Sequence, residues 1–166
     1  MTPVISVTGW SGSGKTRFIE RLIPRLLALG LRPAVIKHDG HDFQMDKEGK
    51  DTWRFTKAGA VTTAILNDRH AAILDNRPVG LERLIGYIHD ADIIITEGFD
   101  KLLYPQIEVF RSAVNPEMRT SDFSRLIAVV SDEALPLAVP RFSPEDVSSA
   151  ARFIADYAAG AAEAKY

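Results

Sequence analysis

Gly9-Trp10-Ser11-Gly12-Ser13-Gly14-Lys15-Thr16 places glycines, a lysine and a threonine at the spacing G-x-x-x-x-G-K-T. That spacing has a chemical use. Glycines let the backbone curl so that successive N–H groups converge, and a helix beginning directly afterwards aims the positive end of its dipole at the same point. A phosphate chain fits such a nest. Gly9, Ser11, Gly12, Ser13 and Gly14 would line it, Lys15 would reach the outer phosphates as a point charge, and the Thr16 hydroxyl would take one coordination position on Mg²⁺. A dinucleotide fingerprint is excluded, because Arg17 stands where its third glycine belongs. Arg17 is instead grouped with the loop as a nucleotide contact.

A loop of this kind holds Mg²⁺ only if a carboxylate approaches from a neighbouring strand. The apolar run Asp92-Ile93-Ile94-Ile95-Thr96 is followed by Glu97, and at ~3.3 Å per residue Asp92 and Glu97 stand roughly 16 Å apart. If this strand runs parallel to the first, only its carboxyl end lies near the loop, so Glu97 is the metal candidate and Asp92 a turn or capping group. Gly98 behind it is expected to let backbone approach the nucleotide closely. The polar stretch from His38 to Asp51 offers Asp39, Asp46 and Asp51 among lysines, with Asp39 closest to its strand end and a candidate for the metal or an attacking water. His38 and His41 have no third ligand nearby and no cysteine, which argues against a transition-metal site. This stretch reads as a charged loop that closes on ligand, with His38 at its root. Asn67-Asp68 lacks the residues of N-K-x-D, so Asp132, after the last strand, is the candidate for reading a guanine, against simple turn capping.

These groups need a scaffold. Thr2 to Thr8 is β-rich, and Lys15 to Leu29 sets Phe18, Ile19, Leu22, Ile23, Leu26 and Leu27 at helical spacing, with a bend expected at Pro24 and a stop at Gly30. Arg32 to Lys37 is the next strand, so a right-handed crossover to a parallel neighbour follows. Helices are expected over Thr52 to Ala60, Leu81 to His89 and Pro144 to Ala162, the last starting near Ser143 or Asp146. Val61 to Asn67 and Ala71 to Leu74 read as a hairpin, and Asp92 to Thr96 as a central strand buried on both faces. Gln106 to Arg111 and Leu126 to Val130 complete the sheet, the former as its edge, and Ala158 to Tyr166 is expected to fray.

The 166 residues, 46% hydrophobic and 25% charged, suit one globular domain over 1–166. A net charge of -2 provides no basic field for nucleic acid or an anionic membrane. With no cysteine, disulfides, thiolate metal sites and a cysteine nucleophile are excluded. The first residues lead directly into a strand, and no apolar run approaches the ~18 residues of a membrane span, so a soluble cytoplasmic protein is expected.

The loop is followed by Val35-Ile36-Lys37-His38 with His41 and Asp46, then Gly49-Lys50-Asp51, Ala58-Gly59-Ala60, Thr96-Glu97-Gly98-Phe99 and Ile107-Glu108-Val109-Phe110-Arg111. In this order, over nearly the whole chain, they resemble the molybdopterin-guanine dinucleotide biosynthesis protein B family. The K-H-x-x-H with G-K-D and A-G-A carries the resemblance, since the phosphate loop alone is shared by many families. The resemblance implies a three-layer α/β P-loop NTPase fold, with a mostly parallel sheet, helices on both faces and some antiparallel strands. It also implies a homodimeric GTP-binding adaptor with at most feeble GTPase activity, which assists the guanylyltransferase that joins GMP to the molybdopterin precursor. Glu97 matches the Glu-Gly that supplies a Mg²⁺ ligand in related proteins such as dethiobiotin synthetase. Thr52 stands where the family often has Ser, and Asp39-Gly40 fills variable positions, so no metal role for Asp39 comes from the resemblance. Two other readings stay open: a small-molecule kinase or ATP-dependent ligase, and an interaction protein with a vestigial loop. Arg17, Arg54 and Arg111 are the candidate charge clamps.

Overall fold

A computed structural model of the chain describes residues 2–99 and 104–163. The elements in order are β1 (Val4–Thr8), α1 (Lys15–Ala28), β2 (Pro33–Lys37), α2 (Asp51–Lys57), β3 (Thr62–Leu66), β4 (Ala71–Asp75), α3 (Leu81–Gly86), β5 (Ile93–Glu97), β6 (Gln106–Val109), β7 (Leu126–Val130), β8 (Arg141–Phe142) and α4 (Val147–Glu163). They form two compact units. One holds the described residues up to His38 and from Ile88 onward, and the other is Asp39–Tyr87.

The first unit is built on a six-stranded, wholly parallel sheet in the order β2-β5-β1-β6-β7-β8. Parallel strands covered on both faces read as continuous apolar runs, and β1 and β5 are buried at every position. The alternate residues Ile5, Val7, Ile93, Ile95, Ile107, Val109, Ala128 and Val130 pack with α1 and α4 in one core. Leu22 and Leu26 of α1 are completely buried there, each contributing about 1.5–3 kcal/mol of transfer free energy. The other face collects Phe110, Leu126 and Val129 under Met118, Leu135, Leu137 and Val139. At its centre it is polar: the Ser6 and Thr96 hydroxyls share a 2.7 Å hydrogen bond across β1 and β5. No helix of the described residues is long and apolar enough to cross a membrane.

Several expectations are revised. The 106–111 stretch is not the sheet edge: β6 lies between β1 and β7, and the edges are β2 and the two-residue β8, which has too few residues for its period to show in sequence. Pro24 does not interrupt α1. The stop expected at Gly30 is present as a glycine cap, with Gly30 at φ +80°, Gly30 N–H donating to Leu27 O and Leu31 N–H to Leu26 O. α4 begins at Val147 because Asp146 accepts the Ser149 N–H as its cap, and it continues through the stretch expected to fray to Glu163. Residues 164–166 lie outside the described residues.

In the second unit, β3 and β4 pair antiparallel around the Asn67–His70 turn, where the Asn67 side chain accepts the N–H groups of Arg69 and His70. α2 packs on β3, and Asp46 organises the approach to it by accepting from Lys47 N–H and the Thr52 hydroxyl.

Asp92 has a structural role at the amino ends of β2 and β5, away from the strand ends that carry the loop. Its carboxylate accepts from the Arg32 guanidinium at 3.0 and 3.1 Å and from the Arg32 N–H at 2.7 Å. The guanidinium first, and the amide second, hold this carboxyl down to about 2 from its ordinary 3.8. The folded value lies below the unfolded one, so the stabilisation is complete above pH 3.8 and is lost as pH falls through about 2. Asp92→Asn is expected to melt below the parent at neutral pH, with the difference closing across that window. Thermal melts from pH 7 to 2 check it, and a pH-independent difference would remove the titration from the account.

Candidate functional site

β1 ends at Thr8, and the chain turns at once. Gly9 takes φ +135° with its backbone against β6, so close that a Cβ there would collide with the Val109 carbonyl. Gly12 and Gly14 also have positive φ, at +80° and +102°, and no atom lies within 4 Å of where their Cβ atoms would project. Only glycine adopts such a sequence of conformations without strain. The Ser13 N–H closes the turn on Trp10 O at 3.1 Å.

The start of α1 is prepared for an anion. Its N-cap, Gly14, has no side chain to bond the orphan N–H groups, and no acidic residue occupies the first turn. The positive end of the helix is therefore uncompensated by its own residues. Lys15 folds back over the loop, its ammonium donating to Gly9 O at 2.8 Å and Trp10 O at 2.9 Å. Ser13 is buried, and among the described residues its hydroxyl has no hydrogen-bond partner. Ser11 and Arg17 are exposed.

Glu97 meets this loop from the neighbouring strand. β1 and β5 are parallel with Val7 opposite Glu97, so their carboxyl ends are level. The Thr16 hydroxyl donates to Glu97 Oε1 at 2.8 Å, and the glutamate is only 7% exposed. A buried carboxylate and a hydroxyl at hydrogen-bond distance form a hard oxygen pair suited to Mg²⁺, which commonly takes one or two protein ligands and fills its octahedron with water and phosphate oxygens. No cluster of three or more His, Asp or Glu able to hold a metal occurs among the described residues. The Thr16 hydroxyl and Glu97 carboxylate fit a cation bound jointly with a phosphate.

The remaining candidates separate. His38 ends β2's approach to the site: its N–H donates to Glu97 O at 2.8 Å and its imidazole packs 4.9 Å from the Phe99 ring. Gly98 takes φ +84°, and a Cβ there would lie 2.8 Å from His38 O. The close approach that requires glycine is thus made by the end of β2, a neighbouring chain segment, where a nucleotide was expected. Asp39 belongs to the second unit and is exposed, with its carboxylate accepting the His41 N–H at 3.1 Å in a local turn. Asp132 is exposed directly after β7. Its neighbour Glu133 latches the segments after β6 and β7 together by accepting from the Ser112 hydroxyl at 2.6 Å and the Ser112 N–H at 3.0 Å. Those two bonds, the hydroxyl first, hold the Glu133 carboxyl below its ordinary range.

Residue patterns overlooked Glu108 and Trp10. Glu108 lies in the apolar run Ile107–Phe110 and is fully buried, and a charge inside such a run is itself the signal of a specific partner. Trp10 occupies a variable position of the loop, where residue type alone predicts nothing.

The family profile described as molybdopterin guanine dinucleotide synthesis protein B matches residues 4–132. A molybdopterin-guanine dinucleotide biosynthesis adapter protein of Escherichia coli (strain K12) is 35% identical over 165 residues, covering 95% of this chain and 94% of that protein. The adapter protein of the same description from Haemophilus influenzae is 37% identical over 143 residues, covering 84% and 79%. The crystal structure of Bacillus subtilis MobB superposes with a TM-score of 0.75 at 28% identity, covering 93% of this chain and 96% of that one. This chain, with its parallel-sheet P-loop NTPase fold, belongs to the molybdopterin guanine dinucleotide synthesis protein B family.

Proposed function

We propose that this chain is a Mg-GTP-binding accessory protein of molybdopterin guanine dinucleotide synthesis, acting beside the guanylyltransferase that joins GMP to the molybdopterin precursor. The observation that carries the reading is the 2.8 Å contact of Thr16 with the buried Glu97 at the mouth of a glycine-lined loop. The adapter function in the names of relatives alike over nearly the whole chain supplies the pathway.

In this reading Thr16 and Glu97 hold Mg²⁺, which when bound neutralises charge on the outer phosphate oxygens. Lys15 exchanges the Gly9 and Trp10 carbonyls for phosphate oxygens, and the amides of residues 9–14 with the α1 N-terminus take the rest. Hydrolysis by the chain alone is slow. A cationic clamp on the developing charge is worth roughly 10³–10⁵ in rate. Of the candidate clamps, Arg17 and Arg111 are exposed, and Arg54, in the second unit, lies 3.9 Å from Asp51.

Titration calorimetry with Mg-GTP tests this directly. Lys15→Ala is expected to lose most affinity with an unchanged melting temperature, and Glu97→Gln to lose the gain that Mg²⁺ confers. Parent-like binding by both variants would refute the site, and repeated turnover of a phosphorylated metabolite would replace the adaptor by a kinase or ligase.

Asp132 is our choice for reading guanine, from its exposed position after β7. Asp132→Asn should reduce the preference for GTP over ATP in competition binding, and an unaltered preference assigns the base to another group.

We also infer a homodimer. Leu66 of β3 and Ile73 of β4, on one face of the hairpin, are 78% and 62% exposed, an apolar surface suited to a second copy. Sedimentation equilibrium should show a dimer that Leu66→Glu weakens. A parent that stays monomeric at every accessible concentration defeats the inference.

A further inference from the structure

The phosphate loop is held from outside by a segment that contains none of its motif. Glu108, in the middle of β6, is completely buried between Thr8 of β1 and Val129 of β7. A carboxylate this deep must be satisfied, and its two oxygens accept separately from the N–H groups of Arg119, at 2.6 Å, and Thr120, at 2.8 Å. The buried charge therefore fixes the backbone of residues 119 and 120 against the sheet. The segment so fixed reaches the loop's second residue. The Arg119 guanidinium lies over the Trp10 ring, 4.5 Å from its centroid, and the indole N–H donates to Glu117 O at 2.8 Å.

Trp10 is more than a surface aromatic. Its carbonyl accepts both the Ser13 N–H that closes the loop and the Lys15 ammonium. The residue before it, Gly9, is pressed against the Val109 carbonyl of β6. Both leading residues of the loop are thus held from the β6 side, one by backbone contact and one by a side-chain clamp. A nest of amides binds an anion well only when its N–H groups are already aligned, since any ordering left to the moment of binding subtracts from affinity.

We propose that Trp10 and Arg119 are positioning residues of the phosphate loop: Arg119, placed by the buried Glu108, clamps the Trp10 indole and so keeps the loop in its anion-binding shape before ligand arrives. The consequence for affinity rests on the Mg-GTP reading above, while the clamp itself does not.

The experiment therefore has two arms on the full chain. Amide hydrogen exchange, read by mass spectrometry without ligand, is compared for the parent, Trp10→Ala, Trp10→Phe, Arg119→Ala and Arg119→Lys. Calorimetry with Mg-GTP is run on the same set. Trp10→Ala and Arg119→Ala are expected to exchange faster in residues 9–14, with β1 and the body of α1 unchanged, and to bind about tenfold more weakly. Arg119→Lys, which keeps a cation over the indole, and Trp10→Phe, which keeps a ring beneath it, should recover most of both effects. Loop exchange in Trp10→Ala equal to the parent overturns the proposal, as does an Arg119→Lys variant no better than Arg119→Ala. A parent that fails to bind Mg-GTP would refute the proposed function, and the exchange arm would still decide the clamp.

Discussion

The parallel pairing of β1 with β5, with Val7 opposite Glu97, is the constraint from which the site follows. Parallel strands in register finish at the same level, so the turn after Thr8 and the carboxylate at Glu97 emerge side by side. The helix that leaves the turn then brings the Thr16 hydroxyl within hydrogen-bond distance of the glutamate. Had β5 been antiparallel, its carboxyl terminus would lie at the opposite rim and the Thr16 hydroxyl would face the Asp92 end. The strand order supports the same geometry, because β1 has β5 on one side and β6 on the other, and the chain reverses its direction of travel across the sheet there.

The two faces of the sheet divide the work. One is apolar and supplies the cohesion, with α1 and α4 packed over Ile5, Ile93 and Ile107. The other buries Ser6, Thr96, Gln106 and Glu108, whose hydrogen bonds replace nondirectional packing with fixed partners. Hydrophobic area determines that a layer is covered but not which atom touches which. A buried carboxylate bonded to two specified amides does determine this, because any other arrangement strands its charge.

What residue patterns revealed and what they missed divides along a physical line. The loop was legible because glycine, lysine and threonine at fixed spacing encode a local conformation, and Glu97 because, of the two carboxylates flanking its apolar strand, only the one at the carboxyl end can reach the loop if the strand is parallel to the first. Helices α1 and α4 followed from their period. The misplaced features depend on partners distant in sequence. Whether 106–111 lies at an edge or inside the sheet depends on which strands flank it, and β8 is too short to show a period. Gly98 was recognised as a close approach, but only the fold reveals that it faces His38. Arg119 meets Trp10 across a separation of more than a hundred residues, and no local pattern in either stretch predicts the other.

The Ser6–Thr96 bond joins residues 90 positions apart, and both neighbours of β1 come from the later part of the chain. Loop closure on that scale precedes any reward from strand pairing, which is the property that slows folding in chains of high contact order. During synthesis β1 emerges before β5 and has no strand to pair with until β5 has left the ribosome. The β3–β4 hairpin, made of neighbours in sequence, can close during that interval. The strand that leads into the glycine loop is therefore made before either of the strands that flank it.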